Sequence, residues 1–316
     1  QDICRKGKRY FYQGTCVEQD LAMAERLLLQ AIEWHHTPAY GYLCWFYYNQ
    51  GDYKKMEQTA RQGIAAGNTE CYLDWAMLYR ATGKEKKCIS LLQKGIANGC
   101  LTCRDQLAEI YRDEEDYKSL YALYERQNDA EGWYHMAYII LLGQKPKGTM
   151  EQALTLLNKS ADAGHLPALT LLGVIYTQEE LGIKNDNIAI GYLQRLADQG
   201  DPSGYYLIAN IYRDHLDGDR YVEYLRKAAD QDFGPAWSLL GIVYDEGLFL
   251  PADKARALDC YSKASLLGTG SSTYRLALCH LNGDGVERDA QQGTQLMGLA
   301  ARQGFGKACA WMGKAF

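Results

Sequence analysis

The 316-residue sequence has little proline, 6 residues in all, no long hydrophobic run and no surplus of basic charge. No uninterrupted apolar run is longer than Met136 to Leu142, far short of the roughly 20 residues that span a bilayer, so no transmembrane segment is expected. Lys and Arg total 34 against 39 Asp and Glu, a formal charge of -5. Nucleic acids and anionic membranes call for clustered basic residues, so neither is an expected partner. The chain has no His-Glu-x-x-His, no Gly-x-Ser-x-Gly and no loop ending in Gly-Lys-Ser or Gly-Lys-Thr, the usual marks of zinc hydrolysis, serine hydrolysis and phosphate cradling. No cofactor, catalytic residue or metal site is assigned. Hydrophobic residues at 47% and charged residues at 23% exclude a disordered chain. Gln1 stands at the start with no initiator Met, and the expectation is a mature product after signal cleavage, periplasmic or secreted, with the cytoplasm as the alternative.

A period is present in the sequence. Gly173-Val-Ile-Tyr176, Ala209-Asn-Ile-Tyr212 and Gly241-Ile-Val-Tyr244 each place a small residue three positions before a Tyr, one helical turn apart. Weaker copies pair Ala277 with His280 and Gly313 with Phe316, and, towards the start, Ala137 with Ile140, Ala108 with Tyr111, Ala76 with Tyr79, Cys44 with Tyr47 and Lys8 with Phe11. Neighbouring anchors are 29 to 36 residues apart, the range of two-helix repeats. Gly14, Gly51, Gly83, Gly143, Gly247 and Gly283 fall where each first helix should stop. Amphipathic second segments lie between, as in Ala153 to Ala161, Ala189 to Ala197 and Ala255 to Ala264. Gly63, Gly67, Gly99, Gly164, Gly200, Gly268 and Gly304 are expected to close them, with Pro167, Pro202 and Pro235 opening the next first helices. Helices this short are marginal alone and must bury their apolar stripes on neighbouring pairs. A large side chain at Gly173 should wedge its pair apart.

The ninth unit continues Ala277 to His280 with Gly283-Asp-Gly285-Val286-Glu-Arg-Asp289 and then Leu299-Ala300-Ala301-Arg302-Gln303-Gly304. This resembles the Sel-one-like repeat family, relatives of tetratricopeptide repeats, strongly from about residue 130 onward and more loosely before it. The resemblance implies an all-α fold, a right-handed α-solenoid of about nine helix-turn-helix repeats with a concave groove. It also implies an adaptor or receptor rather than an enzyme, since bacterial relatives resemble secretion scaffolds, host-interaction factors and immunity proteins against secreted phospholipase effectors.

Cysteine chemistry is the chief alternative to plain packing. Cys100-Leu-Thr-Cys103 has the spacing of half a zinc site or a redox dithiol, with no second pair at the usual distance. Cys71 and Cys103 stand five residues before Ala76 and Ala108, so stacking could bring one of them near Cys100 as a disulfide. Cys4 and Cys16 form another possible pair in an oxidising compartment. Cys44, Cys260, Cys279 and Cys309 read as small core residues. His35-His36 falls where other units carry a closing Gly and reads as a solvated turn, and the acidic run Asp113 to Asp116 as a solvated loop.

The 25 Tyr and 6 Trp exceed what the core of nine repeats needs. By analogy with tetratricopeptide geometry, positions three before and one, four or five after each anchor should line the concave face. These are Arg9, Tyr12, Trp45, Tyr48, Arg80, Glu109, Arg112, Tyr134, Tyr138, Tyr206, Asn210, Arg213 and Tyr274. Tyr, Trp and Arg dominate protein-binding hot spots, so a protein partner in the groove is expected; the bland alternative is that the rings only pack between helices. The fourth unit is short, its second helix expected over Tyr117 to Tyr124. A kink near 113–131 should divide one continuous solenoid into residues 1–128 and 129–316. The leading expectation is a non-enzymatic scaffold in a bacterial periplasm, in its specific form an immunity protein capping an effector. The rival is an assembly scaffold for a secretion or polysaccharide-export machine.

Overall fold

A computed structural model describes residues 21–144 and 146–315, and within them all regular structure is α-helical, eighteen helices without a strand. Eight complete helix pairs run from Ala39–Asn49 with Tyr53–Ala65 to Gly270–Asn282 with Ala290–Arg302. The second helix Leu21–Glu33 precedes them and the first helix Gly306–Ala315 follows. The chain is thus an α-solenoid of helix-turn-helix repeats. Packing divides it into two compact units, Gln1–Gln127 with Leu142–Lys147, and Asn128–Leu141 with Gly148–Phe316. The first anchor, at Lys8, lies outside the described residues.

The small anchors fall where helices meet. Cys44, Ala76, Ala137, Ala209 and Ala277 have no exposed surface, and Ala108 has 3%. At Gly173 a Cβ would sit 2.6 Å from Leu193 Cγ, and at Gly241 one would sit 2.5 Å from Tyr261 Cδ1. The close approach foreseen for Gly173 is therefore a contact with the second helix of its own pair. The Tyr one turn on is buried at Tyr47, Tyr111 and Tyr244 and half-buried at Tyr79, Tyr176 and Tyr212. Around these contacts sit fully buried leucines such as Leu28 and Leu43 in the first unit and Leu193 and Leu225 in the second. Each removes enough apolar surface to stabilise by roughly 1.5–3 kcal/mol.

Helix ends follow the glycines. Gly67, Gly99, Gly164, Gly200, Gly268 and Gly304 all take φ between 82 and 86°, and Gly247 and Gly283 are left-handed caps at φ 70 and 75°. His35 adopts φ 56° where other pairs carry glycine. Two expectations need correction. Gly63 does not stop a helix; it lies inside Tyr53–Ala65, buried, where Cys71 Sγ and Tyr40 Cβ crowd the space a side chain would fill. The second helix of the short unit extends beyond Tyr124, covering Tyr117–Gln127, because Tyr124 itself is buried and holds the last turn.

The second unit also carries buried polar rungs. Ser272 Oγ donates to Ser238 Oγ at 2.8 Å, and Thr273 Oγ1 lies 2.7 Å from Ser265 Oγ and 2.6 Å from Gln303 Oε1. Ser160 Oγ donates to the Ala130 carbonyl at 2.6 Å. The bonds from Ser272 to Ser238 and from Thr273 to Ser265 cross from one helix pair to the next and fix how those pairs meet, while Ser160 ties together the two helices of its own pair.

Candidate functional site

In the first unit, the first helices Ala39–Asn49 and Cys71–Ala81 border a cleft of about 550 Å³. Gly41, Tyr42 and Trp45 come from one helix, Asp74 from the other, and Asn68 and Glu70 from the turn that leads from Tyr53–Ala65 into the latter. That turn is held in place because Asn68 Nδ2 donates to the Thr37 carbonyl at 2.9 Å and Thr102 Oγ1 donates to Glu70 Oε2 at 2.6 Å. Trp45 and Tyr42 are each 39% exposed. Burial, with the Glu70 charge second, pushes the Asp74 carboxyl up to about 7. Behind it lie Cys44 and Cys71, both fully buried, and the ligand atoms of the three residues fall within 4.8 Å of one another.

A second cleft, of about 280 Å³, opens in the other unit between Leu166–Ile175 and Ser203–Asp214. Val174 and Asn210 occupy the position that Trp45 occupies in its own repeat, one residue after the anchor. The buried Asn210 Oδ1 has no hydrogen-bond partner, and His215 Nε2 sits 2.7 Å from Asp186 Oδ2 at the rim.

The thirteen expected groove residues divide by environment. Trp45, Tyr48 and Tyr138 are exposed by 36 to 44%, and Trp45 and Asn210 line clefts. Arg112 is exposed, Arg80 pairs with Asp113 at 3.2 Å, Arg213 with Asp214 at 3.2 Å, and Glu109 accepts from Gln106 at 2.7 Å. Tyr134, Tyr206 and Tyr274 are half-buried, and their rings meet those of His165, Phe233 and Phe305 at 5.0 to 5.4 Å between centroids. In these three the ring packs against the residue just before the next first helix, as the packing alternative describes. The signal was present in the sequence: a ring recurs at the residue just before the next first helix. Arg9 and Tyr12 lie outside the described residues.

Of the two cysteines that stacking could bring near Cys100, Cys103 stands beside it and Cys71 packs elsewhere. Cys100 is the N-cap of Leu101–Asp113, its Sγ accepting from the Cys103 amide at 3.3 Å, and burial together with a Cys100 contact raises the Cys103 thiol. Cys71 faces Cys44, not Cys100, because its side chain fills the gap left by Gly63. Cys71, Cys100 and Cys103 are free thiols. Cys4 and Cys16 lie outside the described residues. No described helix is long and apolar enough to cross a membrane.

Known proteins share this architecture. The family model of the Sel1 repeat matches residues 7–33, 130–165, 166–201, 222–233, 238–269 and 270–305. A Sel1 repeat protein from Oxalobacter formigenes superposes with a TM-score of 0.58 at 18% identity, over 80% of this chain and 78% of its own. A protective antigen present in uropathogenic Escherichia coli strains, displaying an SLR fold, gives 0.51 at 22% identity over 99% of this chain and 78% of its own. At those identities the likeness is one of fold. DAP3-binding cell death enhancer 1 of Mus musculus is 28% identical over 126 residues, 40% of this chain, and the chain spans only 18% of its length. With more than half of its residues matched by the repeat model, and helix pairs meeting at the small anchors, the chain belongs to the Sel1 repeat family.

Proposed function

We propose that this chain is a non-enzymatic scaffold that binds a protein partner through the exposed face of its first helices. The observation that carries this reading is the placement of Trp45 and Tyr138, each one residue after its anchor, and of Tyr48 one turn beyond Trp45, large rings left 36 to 44% exposed on first helices otherwise tightly packed. Rings of this kind offer area and a polar handle at low entropic cost. The cleft beside Trp45 gives such a partner a concave foothold. The narrower proposal is a bacterial periplasmic immunity protein that neutralises a secreted, phospholipase-like effector. Its support is the resemblance to bacterial repeat proteins with that role.

The scaffold reading is tested by capture with the full chain and with a Trp45→Ala/Tyr138→Ala double variant. The variant should keep its helical circular dichroism and bind the captured partner at least about tenfold more weakly; undiminished affinity would reject the face. For the narrower reading, equimolar chain should abolish the activity of a phospholipase effector encoded beside its gene. An effector that stays active in the presence of the chain counts against immunity, and capture of envelope-export components instead would favour an assembly scaffold.

A further inference from the structure

The anchors Cys44, Ala76 and Ala108 repeat every 32 residues, so each position can be compared with its copy one pair on. Cys71 packs where Gly63 leaves room beside Tyr40, and Cys103 packs in the same way beside Gly95 and Tyr72. Packing against a glycine therefore accounts for both of these cysteines. It does not account for Cys44 or Asp74, whose copies are Ala76 and Gln106, nor for Gly41, whose copy is Leu73.

All three departures converge on one place. Cys44 and Cys71 have no exposed surface, and their Sγ atoms and an Asp74 oxygen lie within 4.8 Å of one another. Among the described residues no side chain donates to the Asp74 carboxylate, and no Lys or Arg lines the cleft it borders. The lack of a side chain at Gly41 keeps that cleft open, since a Cβ there would stand 3.3 Å from Asp74 Oδ2. Two sulfurs and a carboxylate gathered out of bulk water, with no cation of the protein's own, match the needs of a metal ion. Sulfur selects a thiophilic ion over calcium or magnesium, which take oxygen ligands.

We propose that Cys44, Cys71 and Asp74 bind a thiophilic divalent ion of the zinc class, leaving its fourth position open to the 550 Å³ cleft. Zinc takes thiolates at about 2.3 Å and carboxylate oxygens at about 2.0–2.2 Å in a tetrahedron. The three ligands thus need a small inward movement, for which Asp74 has free space on the cleft side. Binding converts both thiols to thiolates and releases their two protons to solvent, together with the proton of any Asp74 carboxyl that is still neutral. A dipositive ion then faces three ligand anions, so the site carries a single negative charge.

The test titrates reduced, chelator-treated full chain with cobalt(II) and then displaces it with zinc(II). One equivalent should bind with a thiolate-to-cobalt charge-transfer absorption that zinc removes. Cys44→Ala, which installs the array's own residue for that position, should abolish the absorption. Asp74→Asn should weaken binding at least about tenfold, while Cys88→Ala and Cys103→Ala should leave it intact. In the unsubstituted chain, zinc should also shield Cys44 and Cys71 from alkylation as mapped by mass spectrometry, a measurement that does not depend on any variant folding. Absent cobalt absorption, absorption retained by Cys44→Ala, absorption lost with Cys103→Ala, or both thiols alkylated equally with and without zinc would each overturn the site.

Discussion

At the scale of the residue, two glycines in one pair of neighbouring helices carry opposite expectations. A Cβ on Gly204 would lie 2.8 Å from the Ala197 amide nitrogen, and backbone cannot step aside. At Gly191, inside Asp186–Asp198, an added methyl would find nothing within 4 Å. Gly204→Ala should therefore cost about 1–3 kcal/mol in denaturant unfolding, whereas Gly191→Ala should stabilise by about 0.5–1 kcal/mol through lower chain entropy. Asp74 sets a pH dependence. Its carboxyl stays protonated in the fold up to about 7, while the unfolded chain ionises it above about 4. The stability it lends is complete below about pH 4 and is lost as the pH rises through 7. With chelator present, Asp74→Asn should match the parent near pH 4 and exceed it at pH 8, by on the order of 1–3 kcal/mol. A variant no more stable than the parent at pH 8 would show that Asp74 is ionised in the fold at neutral pH.

At the scale of the element, the stops were legible and several starts were overlooked. Glycine is nearly alone in tolerating positive φ, so Gly99, Gly164 and Gly200 could be placed from sequence and stand at φ 84 to 86°. The starts of second helices carry a signal just as physical. Asp52, Asn185, Asp217, Asp253 and Asp289 each accept the amide three residues on, and Thr149 completes a capping box with Gln152. These residues stand just before their amphipathic runs, Lys84 before Glu85–Ala97 being an exception, and could have been read in advance. Asp217→Ala should cost about 1 kcal/mol of thermal or denaturant stability. A loss below a few tenths would mean that water serves the freed amides equally well. His35, left-handed at φ 56°, offers the converse, and His35→Gly should stabilise by about 0.4–1 kcal/mol.

At the scale of the whole molecule, the period was legible because stacking demands it: a close contact at Cys44, Ala137, Ala209 or Ala277 admits nothing bulky, and each pair repeats the demand. Which side of each first helix stays open was only partly legible. Sequence spacing places Tyr138 and Tyr134 on one side, yet only the partner ring at His165 decides that Tyr134 is covered. The cluster of Cys44, Cys71 and Asp74 could not be foreseen, since Cys44 lies 27 positions from Cys71 and 30 from Asp74 and only packing brings it to them. The chain falls into two compact units meeting in sequence at Gln127 and Asn128, and the helix before that point buries only Leu120 and Tyr124 fully. Limited proteolysis should cut first within residues 113–131, and first cleavage elsewhere would contradict this. The serine and threonine rungs of the second unit have a final consequence. Ser238 and Ser272 are made for each other, so duplicating, deleting or shuffling a repeat at that seam would strand a hydroxyl in the dry interior. Gene rearrangements that reshape this array should therefore be tolerated at purely apolar seams and selected against where such keyed pairs lock one neighbour to the next.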